Sequence, residues 1–384
     1  MAASNITWSE EFADSARNLV AYANPREGDQ VLIIMDDLTY NEALAHTLRI
    51  ACEEAKVGEV FILKTKRPVL QWNEPGKPFL EAMKAADIIF NFSGYRLFSQ
   101  PWGLLAMQEY GTKIVRMDTR HAWMLNTEFA KFPKELLYLI TRKTVDIVAR
   151  GKRLRVTSKL GMDLTVGINP FAISGGHSPV AMPGERVNFP GGMVGINPQD
   201  PANGVMVMNF IYPSWNPPQV ILDEPIRITI EDHWATKIEG GCADWVEQFL
   251  EENGDENARN LAEVMWGNHP KAYPYGWQQV PPIDWFLIFH YRYQLLHCAL
   301  GRGIADFPPF SKTHLDFYMI NPTVYIDNEV LIDNGHHQVL EDPEVIRVAE
   351  KYGDPKELLT LPPLPKGFLP AYLKGEAEEE EESK

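Results

Sequence analysis

Short, uninterrupted apolar runs alternate with helical patterns over the first 150 residues, and this alternation most narrows the fold that the chain can adopt. Continuous runs of this length, without an alternating polar face, are typical of parallel strands covered by helices. Helical patterns at residues 41–56 and 79–86 separate the runs. The alternation predicts a doubly wound α/β domain with strands at residues 31–35, 59–63, 88–92 and 114–117.

The turn after the first predicted strand is where a nucleotide-binding loop would lie. The residues there, Met35 to Asn41, include no glycine. A phosphate-binding loop needs glycines so that the backbone can approach the phosphate closely. The sequence therefore gives no support for a dinucleotide or nucleoside triphosphate site, and we predict a scaffold or dimerisation role for this domain.

The character of the chain changes after a predicted helix at residues 135–151, where Gly- and Pro-rich strands and loops begin. We therefore expect a mixed, strand-rich α+β domain to follow the α/β domain. Its strand-like runs lie at residues 204–212, 226–230, 321–327 and 329–333, and the last two predict a β-hairpin. The predicted divisions are an α/β domain (1–151), a metal-binding catalytic domain (152–345), a C-terminal extension (346–374) and an acidic, disordered tail (375–384).

Charge and cysteine content exclude several classes of partner. The net charge is −16 and Lys and Arg do not cluster, so nucleic acid binding is not expected. Three widely separated cysteines predict no disulfide framework and fit a reducing compartment. The N-terminus lacks a basic segment followed by an apolar run, and no apolar stretch is long enough to cross a bilayer. We expect a soluble, cytoplasmic protein with a small-molecule substrate and no membrane partner.

Two histidines and an aspartate are the first candidates for metal ligands. His314 and Asp316 stand two residues apart, and in an extended segment alternation places both side chains on one face. Such a pair can hold a metal ion. His297 lies in an apolar run, where a neutral imidazole serves either as a metal ligand or as a core residue.

Two glutamates stand in settings that disfavour an uncompensated charge. Glu185 lies in a Pro-Gly turn and Glu263 lies in an apolar run. Each either binds a cation or pairs with an arginine such as Arg186 or Arg259, because an isolated buried charge is costly.

Four of the other histidines are weighed as metal ligands as well. His269 and His290 stay open as candidates, whereas the turn that holds His336 and His337 is expected at the surface or behind the metal ligands.

The five candidates together are Glu185, Glu263, His297, His314 and Asp316. Two histidines and three carboxylates suit a pair of divalent ions with one bridging carboxylate, and paired ions activate a shared water for hydrolysis. The hypothesis from the residues is metal-dependent cleavage of a small molecule by water or oxygen.

The order of these motifs resembles the metallopeptidase family of aminopeptidase T and aminopeptidase S over most of the chain. The resemblance implies a catalytic domain with two metal ions (Zn, Mn or Co), a homodimer, and a bridging role for Glu185. The other four candidates would complete the site. The segments that carry the resemblance are residues 16–34, 161–165, 183–185, 262–272, 295–301, 314–316 and 327–335.

Aromatic residues depart from the aminopeptidase pattern. That family has a tyrosine seven residues after its histidine, where this chain has Ile304, so peptide hydrolysis of the family's kind is in question. An aromatic, Pro-rich segment at residues 270–282 is either part of the core or a lid over a flat substrate. The tyrosines that could substitute are Tyr291, Tyr293 and Tyr318.

A second departure concerns the ligands. Residues 266–272 and 311–317 are similar to the 2,5-dihydroxypyridine 5,6-dioxygenases, which hold one non-haem iron with two histidines and an aspartate. Those enzymes have a histidine at the position of Glu263 and lack a counterpart of His297. The chain thus combines hydrolase-type ligands with dioxygenase-like surroundings.

Three functions stay open. The first is a two-metal hydrolase with Glu185 and Glu263 as catalytic residues, in which a metal-activated water attacks a carbonyl of a peptide N-terminus, an amide or a cyclic diketone. The second is a ring-cleaving Fe(II) dioxygenase that uses His314, Asp316 and either Glu263 or His297. The third is a metal-stapled scaffold without catalysis.

Overall fold

The computed structural model describes residues 10–70, 73–97, 100–175, 179–303 and 311–377. Ile304 and the glutamate run at 378–382 lie outside these residues, so the expectations placed on them stay predictions. The chain divides into two compact units, Met1–Lys134 with Ser178–Gly191, and Glu135–His177 with Gly192–Lys384. The domain boundaries expected at residues 151, 345 and 374 stay predictions beside this division.

Polar residues and prolines mark where several helices begin. The side chain of Asn41 accepts a hydrogen bond from the Leu44 N–H and so caps the helix that follows. No helix among the described residues is long and apolar enough to cross a membrane. In chain order the helices are α1 (Glu10–Tyr22), α2 (Glu42–Glu54), α3 (Lys77–Lys84), α4 (Pro101–Tyr110), α5 (Glu128–Lys131), α6 (Lys134–Val148), α7 (Ala243–Asn253), α8 (Pro282–Phe289), α9 (Pro343–Ala349) and α10 (Pro355–Leu359).

The strands fall into two sheets. In chain order they are β1 (Val31–Asp36), β2 (Val60–Thr65), β3 (Ile88–Asn91), β4 (Lys113–Met117), β5 (Arg153–Thr157), β6 (Asp163–Gly167), β7 (Ile173–Ser174), β8 (Arg186–Phe189), β9 (Met193–Ile196), β10 (Gln199–Ile211), β11 (Ile221–Glu231), β12 (Trp234–Gly240), β13 (Leu261–Gly267), β14 (Leu295–Gly301), β15 (His314–Ile320), β16 (Thr323–Ile326), β17 (Glu329–Asp333) and β18 (His336–His337).

The first unit is built on a five-stranded parallel sheet in the order β2-β1-β3-β4-β8. Alternate residues of β1 enter two different apolar clusters: Ile33 packs with residues of α1 and α2, and Ile34 packs with residues of α3 and α4. Helices therefore cover both faces, which confirms the doubly wound α/β prediction. The four predicted strands are confirmed, and β8 is an addition that the sequence did not reveal.

The second unit is built on a 13-stranded sheet whose named strands pair antiparallel. Its main path runs β18-β17-β16-β5-β6-β10-β15-β14-β13-β9-β7, with β11 paired to β10 and β12 paired to β11. The hairpin of β16 and β17 is confirmed. This strand-rich unit with few helices is the mixed α+β architecture expected from the sequence.

Three neighbouring strands, β13, β14 and β15, are buried along their whole length. Aromatic side chains of α8 and of the C-terminal segment pack in the apolar cluster beside them, including Phe286, Phe289 and Phe368. Trp285, Phe286 and Phe289 of α8 are core residues, whereas Tyr273, Tyr275 and Trp277 of the aromatic segment at residues 270–282 are half-buried, so core and lid both stay open for that segment.

Candidate metal centre

The strand register brings the two acidic candidates of the second unit onto one row. Glu263 of β13 lies opposite Ala299 of β14, and Ala299 lies opposite Asp316 of β15. Residues directly opposite one another project from the same face of a sheet. Since Ala299 contributes only a methyl group, the two carboxylates face each other across the central strand.

The two histidines join the carboxylates by alternation along the same strands. His297 precedes Ala299 by two residues, and His314 precedes Asp316 by two, so all four ligand candidates share one face. β15 is a strand over its full range, which confirms the expectation that His314 and Asp316 point to the same side.

Gly301 at the end of β14 lets the strand carrying His314 come close. Its φ is +99°, and a Cβ at this position would lie 2.4 Å from the carbonyl oxygen of Thr313. Any side chain would push the start of β15 away. The glycine therefore helps to set the distance between β14 and the histidine of β15.

The four side chains approach within hydrogen-bond or ion-pair distance. His297 Nε2 lies 3.0 Å from Glu263 Oε1 and 3.9 Å from Asp316 Oδ1. His314 Nε2 lies 3.0 Å from Asp316 Oδ1 and 3.5 Å from Glu263 Oε1. The ligand atoms of Glu263, His314 and Asp316 all lie within 4.8 Å of one another. All four side chains are buried.

The surroundings orient both imidazoles. His314 Nδ1–H donates to the Arg302 carbonyl at 2.6 Å, so its Nε2 carries the lone pair and faces the carboxylates. The ring of His297 stacks on Tyr318, with centroids 4.6 Å apart. Histidines that bind a metal through one ring nitrogen usually donate the N–H of the other to a carbonyl or carboxylate, as His314 does here.

This set fits a divalent cation. Two buried carboxylates in one cluster repel each other and lose hydration, which is costly unless a positive charge compensates. Among the described residues, Glu263 Oε2 is buried and makes no hydrogen bond. Nitrogen and carboxylate ligands together suit several first-row metals, so the donor set supports a metal site without fixing the metal.

The thiol of Cys298 does not belong to this set. Cys298 follows His297 on β14, so alternation directs it to the opposite face. Burial, and then the nearby charges of Glu263 and Asp316, raise the pKa of the thiol well above its usual value. It therefore stays protonated, whereas metal ligation requires the thiolate.

Glu185 lies elsewhere in the chain. It belongs to the first unit, whereas the other four candidates belong to the second. Its side chain is exposed just before β8, and it accepts a hydrogen bond from the Met182 N–H at 3.3 Å. Of the arginines proposed as alternative partners, Arg259 pairs with Glu247 instead. A metal-bridging role for Glu185 stays a prediction.

The histidines of the 336–337 turn have opposite environments. His336 is exposed and bonds Glu341, as expected for a surface residue. His337 is fully buried, because β18 pairs with β17 and alternation turns this side chain inward, so the surface placement holds for His336 alone. His337 Nε2 contacts Asn268 and Thr144, so His337 is a satisfied interior residue.

The other two histidines are also interior residues. His269 Nδ1 accepts a hydrogen bond from the Lys271 N–H, and His290 lies against the rings of Tyr291 and Tyr318. Neither belongs to the cluster of ligand atoms found among the described residues. The Arg302 carbonyl was missed from the sequence because a backbone atom leaves no side-chain pattern. Tyr318, named from the sequence as a possible substitute tyrosine, stacks on His297, because it continues the alternation of His314 and Asp316.

Comparison with known proteins shows which family the chain belongs to and which solved structures share its fold. The family model described as 2,5-dihydroxypyridine 5,6-dioxygenase matches residues 12–293. The chain belongs to the 2,5-dihydroxypyridine 5,6-dioxygenase family. The motifs put the aminopeptidases first and the dioxygenases second, and the family match reverses that order. The matched range of this family includes Glu185 and Glu263 and ends before His297.

Two solved structures share the fold of this dioxygenase-family chain. The 2,5-dihydroxypyridine dioxygenase from Pseudomonas putida KT2440 has a TM-score of 0.62 at 17% identity, covering 85% of this chain and 96% of that one. Wild-type AmpT from Thermus thermophilus has a TM-score of 0.60 at 15% identity, covering 85% and 98%. None of the curated proteins compared with the chain matches it. Both named enzymes therefore share an α/β architecture with this chain, and identities this low support the fold alone.

Proposed function

We propose that the chain is a non-haem Fe(II) dioxygenase that cleaves the ring of a small dihydroxylated aromatic compound. The observation that carries the proposal is the buried cluster of Glu263, His314 and Asp316, with His297 Nε2 3.0 Å from Glu263 Oε1, in a chain of the dioxygenase family. Two histidines and a carboxylate with open positions are the ligand set of many non-haem iron oxygenases.

The residues that would hold the iron are His314 and Asp316, together with Glu263 and His297 beside them. Iron bound there would supply the redox chemistry that activates dioxygen. The protein's part is to direct the Nε2 lone pair of His314 inward through the Arg302 carbonyl, and to hold the ring of His297 through its stacking on Tyr318.

Burial and the second carboxylate set the remaining chemistry. All ligand side chains are less than 8% exposed, so the site excludes most bulk water and protects a reactive ring from side reactions. Glu263 Oε2 is a buried acceptor without a hydrogen bond among the described residues. We assign to it the proton that a substrate hydroxyl gives up on binding.

A two-metal hydrolase is the second candidate, and the presence of both Glu263 and His297 in one cluster favours it. Two carboxylates and two imidazoles would serve two ions if a further ligand were added, and Glu185 is the residue assigned to that role. The substrate would then be a peptide N-terminus, an amide or a cyclic diketone. A homodimer, a small-molecule substrate and Zn, Mn or Co remain part of this second proposal.

The experiment that separates the two candidates measures metal content and oxygen uptake together. Protein purified without added metal under anaerobic conditions is loaded with Fe(II) and assayed with 2,5-dihydroxypyridine and related dihydroxylated rings. About one equivalent of iron and substrate-dependent oxygen uptake support the dioxygenase. About two equivalents of Zn, Mn or Co, one of them lost in Glu185→Ala, with release of an amino acid from a peptide amide, overturn it in favour of the hydrolase.

A matched pair of variants controls the assay. His314→Gln removes a ligand, whereas His336→Gln changes an exposed histidine of the same sheet. Only the first is expected to abolish oxygen uptake. Metal binding without oxygen uptake or hydrolysis, in both the wild type and His336→Gln, would favour the non-catalytic scaffold.

A further inference from the structure

β10 pairs with β15, the strand that carries His314 and Asp316, but the pairing covers only part of β15. Phe210 lies opposite Tyr318 and Ile211 opposite Phe317, and the next N–H, that of Tyr212, donates to the Asp316 carbonyl at 2.9 Å. Antiparallel pairing has a constant sum of residue numbers, so the next hydrogen-bonded rung would join Ser214 to His314.

That rung is missing because the chain leaves the sheet. β10 ends at Ile211, and Pro213–Trp215 forms a single 3-10 turn. Proline has a fixed φ that suits the first position of a helical turn, which favours the turn at this point. In place of a backbone donor, the indole Nε1–H of Trp215 donates to the His314 carbonyl at 2.8 Å. A side chain thus completes the ladder at the residue that carries a metal ligand.

The indole is itself held by an aromatic cluster on α7. The ring of Trp215 lies 5.1 Å from that of Phe249, and Phe249 stacks on Trp245 at 5.4 Å. Because Phe249 is buried, the donor has a fixed position.

His314 is consequently anchored at two atoms. Its Nδ1–H donates to the Arg302 carbonyl, and its own carbonyl accepts from Trp215. The atom left to act is Nε2, which faces Asp316 and Glu263. We propose that Trp215 is a positioning residue for the metal ligand His314, fixing the backbone so that Nε2 points into the centre. This inference rests on the metal centre of the proposed function.

The test compares Trp215→Phe with Trp245→Phe. Both changes remove an indole that belongs to the Phe249 cluster and leave a phenyl ring, but only the first removes a donor to a ligand residue. Metal affinity is measured by competition with a chelator, and the visible absorption of Co(II)-loaded protein reports the ligand geometry. We expect Trp215→Phe to weaken Co(II) binding by about 10-fold or more, in the range seen when partners behind metal ligands are lost.

The two readouts separate positioning from packing. Similar midpoints of thermal unfolding for the two variants, with weaker binding and an altered Co(II) spectrum in Trp215→Phe alone, support the proposal. Equal affinity and an unchanged spectrum in Trp215→Phe overturn it. If wild-type protein itself binds no Co(II) or Fe(II), the proposed function fails, which is a separate result.

A second variant covers the case in which Trp215→Phe does not fold. Phe249→Leu keeps the indole N–H but removes the ring against which the indole packs. The proposal requires weaker Co(II) binding than in the wild type, and unchanged binding would contradict it.

Discussion

Asp36 in the first unit and Glu263 in the second are both buried carboxylates, but the groups around them differ. Asp36 at the end of β1 is fully buried, and its oxygens accept hydrogen bonds from the backbone N–H groups of Leu38, Thr39 and Gly94. Glu263 is equally enclosed, but its Oε1 faces two imidazoles and its Oε2 has no hydrogen bond among the described residues. The Arg67 guanidinium also lies 3.8 Å from Asp36 Oδ2, so the charge of Asp36 is compensated by donors and a cation of its own unit, whereas in the part of the chain that the structure describes the partners of Glu263 are imidazoles.

The comparison gives a reason why the ligand cluster found among the described residues lies on the second sheet. In the first unit the ends of β1 and β3 satisfy their own polar groups, and β1 is apolar up to its last residue. In the second unit polar groups stand in the middle of fully buried strands. Burial of that kind is retained where a ligand compensates it, which is the physical basis for locating the site on β13 to β15.

Removing one ligand should have the largest effect. Asp316→Asn keeps the shape of the side chain but removes a charge that a cation needs, so Fe(II) affinity should fall by at least about 100-fold. Asp333→Asn, an exposed change on β17, is the control and should leave the affinity unchanged. Titration calorimetry under anaerobic conditions measures both. Equal affinities for the two variants would mean that the metal binds elsewhere.

Asp36→Asn should be the most destabilising of the buried-carboxylate changes. An amide nitrogen at this position would face a backbone N–H and leave it unsatisfied, at a cost of about 3 kcal/mol in the free energy of unfolding. The control is Asp37→Asn, an exposed neighbour whose hydrogen bond from the Arg67 N–H an amide oxygen can still accept. Urea unfolding of both variants checks this. A loss of unfolding free energy below about 1 kcal/mol in Asp36→Asn would mean that Asp36 is not more important for stability than Glu263.

His337 tests whether buried polar groups of the second unit outside the site behave like Asp36. Burial, and then the charge of His336, lower the pKa of His337 from 6.5 to about 3. As pH falls below 6.5 the unfolded chain binds a proton that the folded chain refuses, so this contribution to stability is present above pH 6.5 and is lost toward pH 3. Between pH 7 and pH 5 the loss should be about 2 kcal/mol.

The variants for that measurement are adjacent. His337→Gln should flatten the dependence of unfolding free energy on pH over this interval, and His336→Gln should keep most of the wild-type slope because burial, the larger cause of the lowered pKa of His337, is unchanged. Identical slopes for the two variants would show that His337 titrates normally.

Glu263→Gln should have the smallest effect, and with the opposite sign to Asp36→Asn. In metal-free protein it removes one of two neighbouring buried charges, while the amide oxygen can still accept from His297 Nε2–H. We expect a gain of about 1 kcal/mol in the free energy of unfolding. Glu329→Gln, exposed on β17, should change stability by less than about 0.5 kcal/mol. A loss of stability in Glu263→Gln would mean that this carboxylate is structural, as Asp36 is.

The two units also differ in how much of them the sequence reveals. The apolar runs at residues 31–35 and 88–92 predict β1 and β3 because both faces of these strands are buried. β8, whose sequence is Arg-Val-Asn-Phe, has no such pattern and is fixed by its pairing with β4, about 70 residues away in sequence. Local patterns cannot report a partner so distant.

The site was predictable where spacing within a strand determines it. His314 and Asp316 share a face because they are two residues apart, and sequence shows that directly. The approach of Glu263 and His297 depends on the register of three strands, and the contact from Trp215 depends on where β10 ends. Whether Glu185 joins the four cannot be read from spacing, because it belongs to another unit.

The central claim is that the face of β13, β14 and β15 holds a metal ion. Anomalous diffraction from crystals grown anaerobically with Fe(II), collected on both sides of the iron absorption edge, tests it most directly. We expect one strong anomalous peak for iron, bounded by Glu263, His314 and Asp316, and its loss in Asp316→Asn. An iron peak elsewhere with none on this face would contradict it.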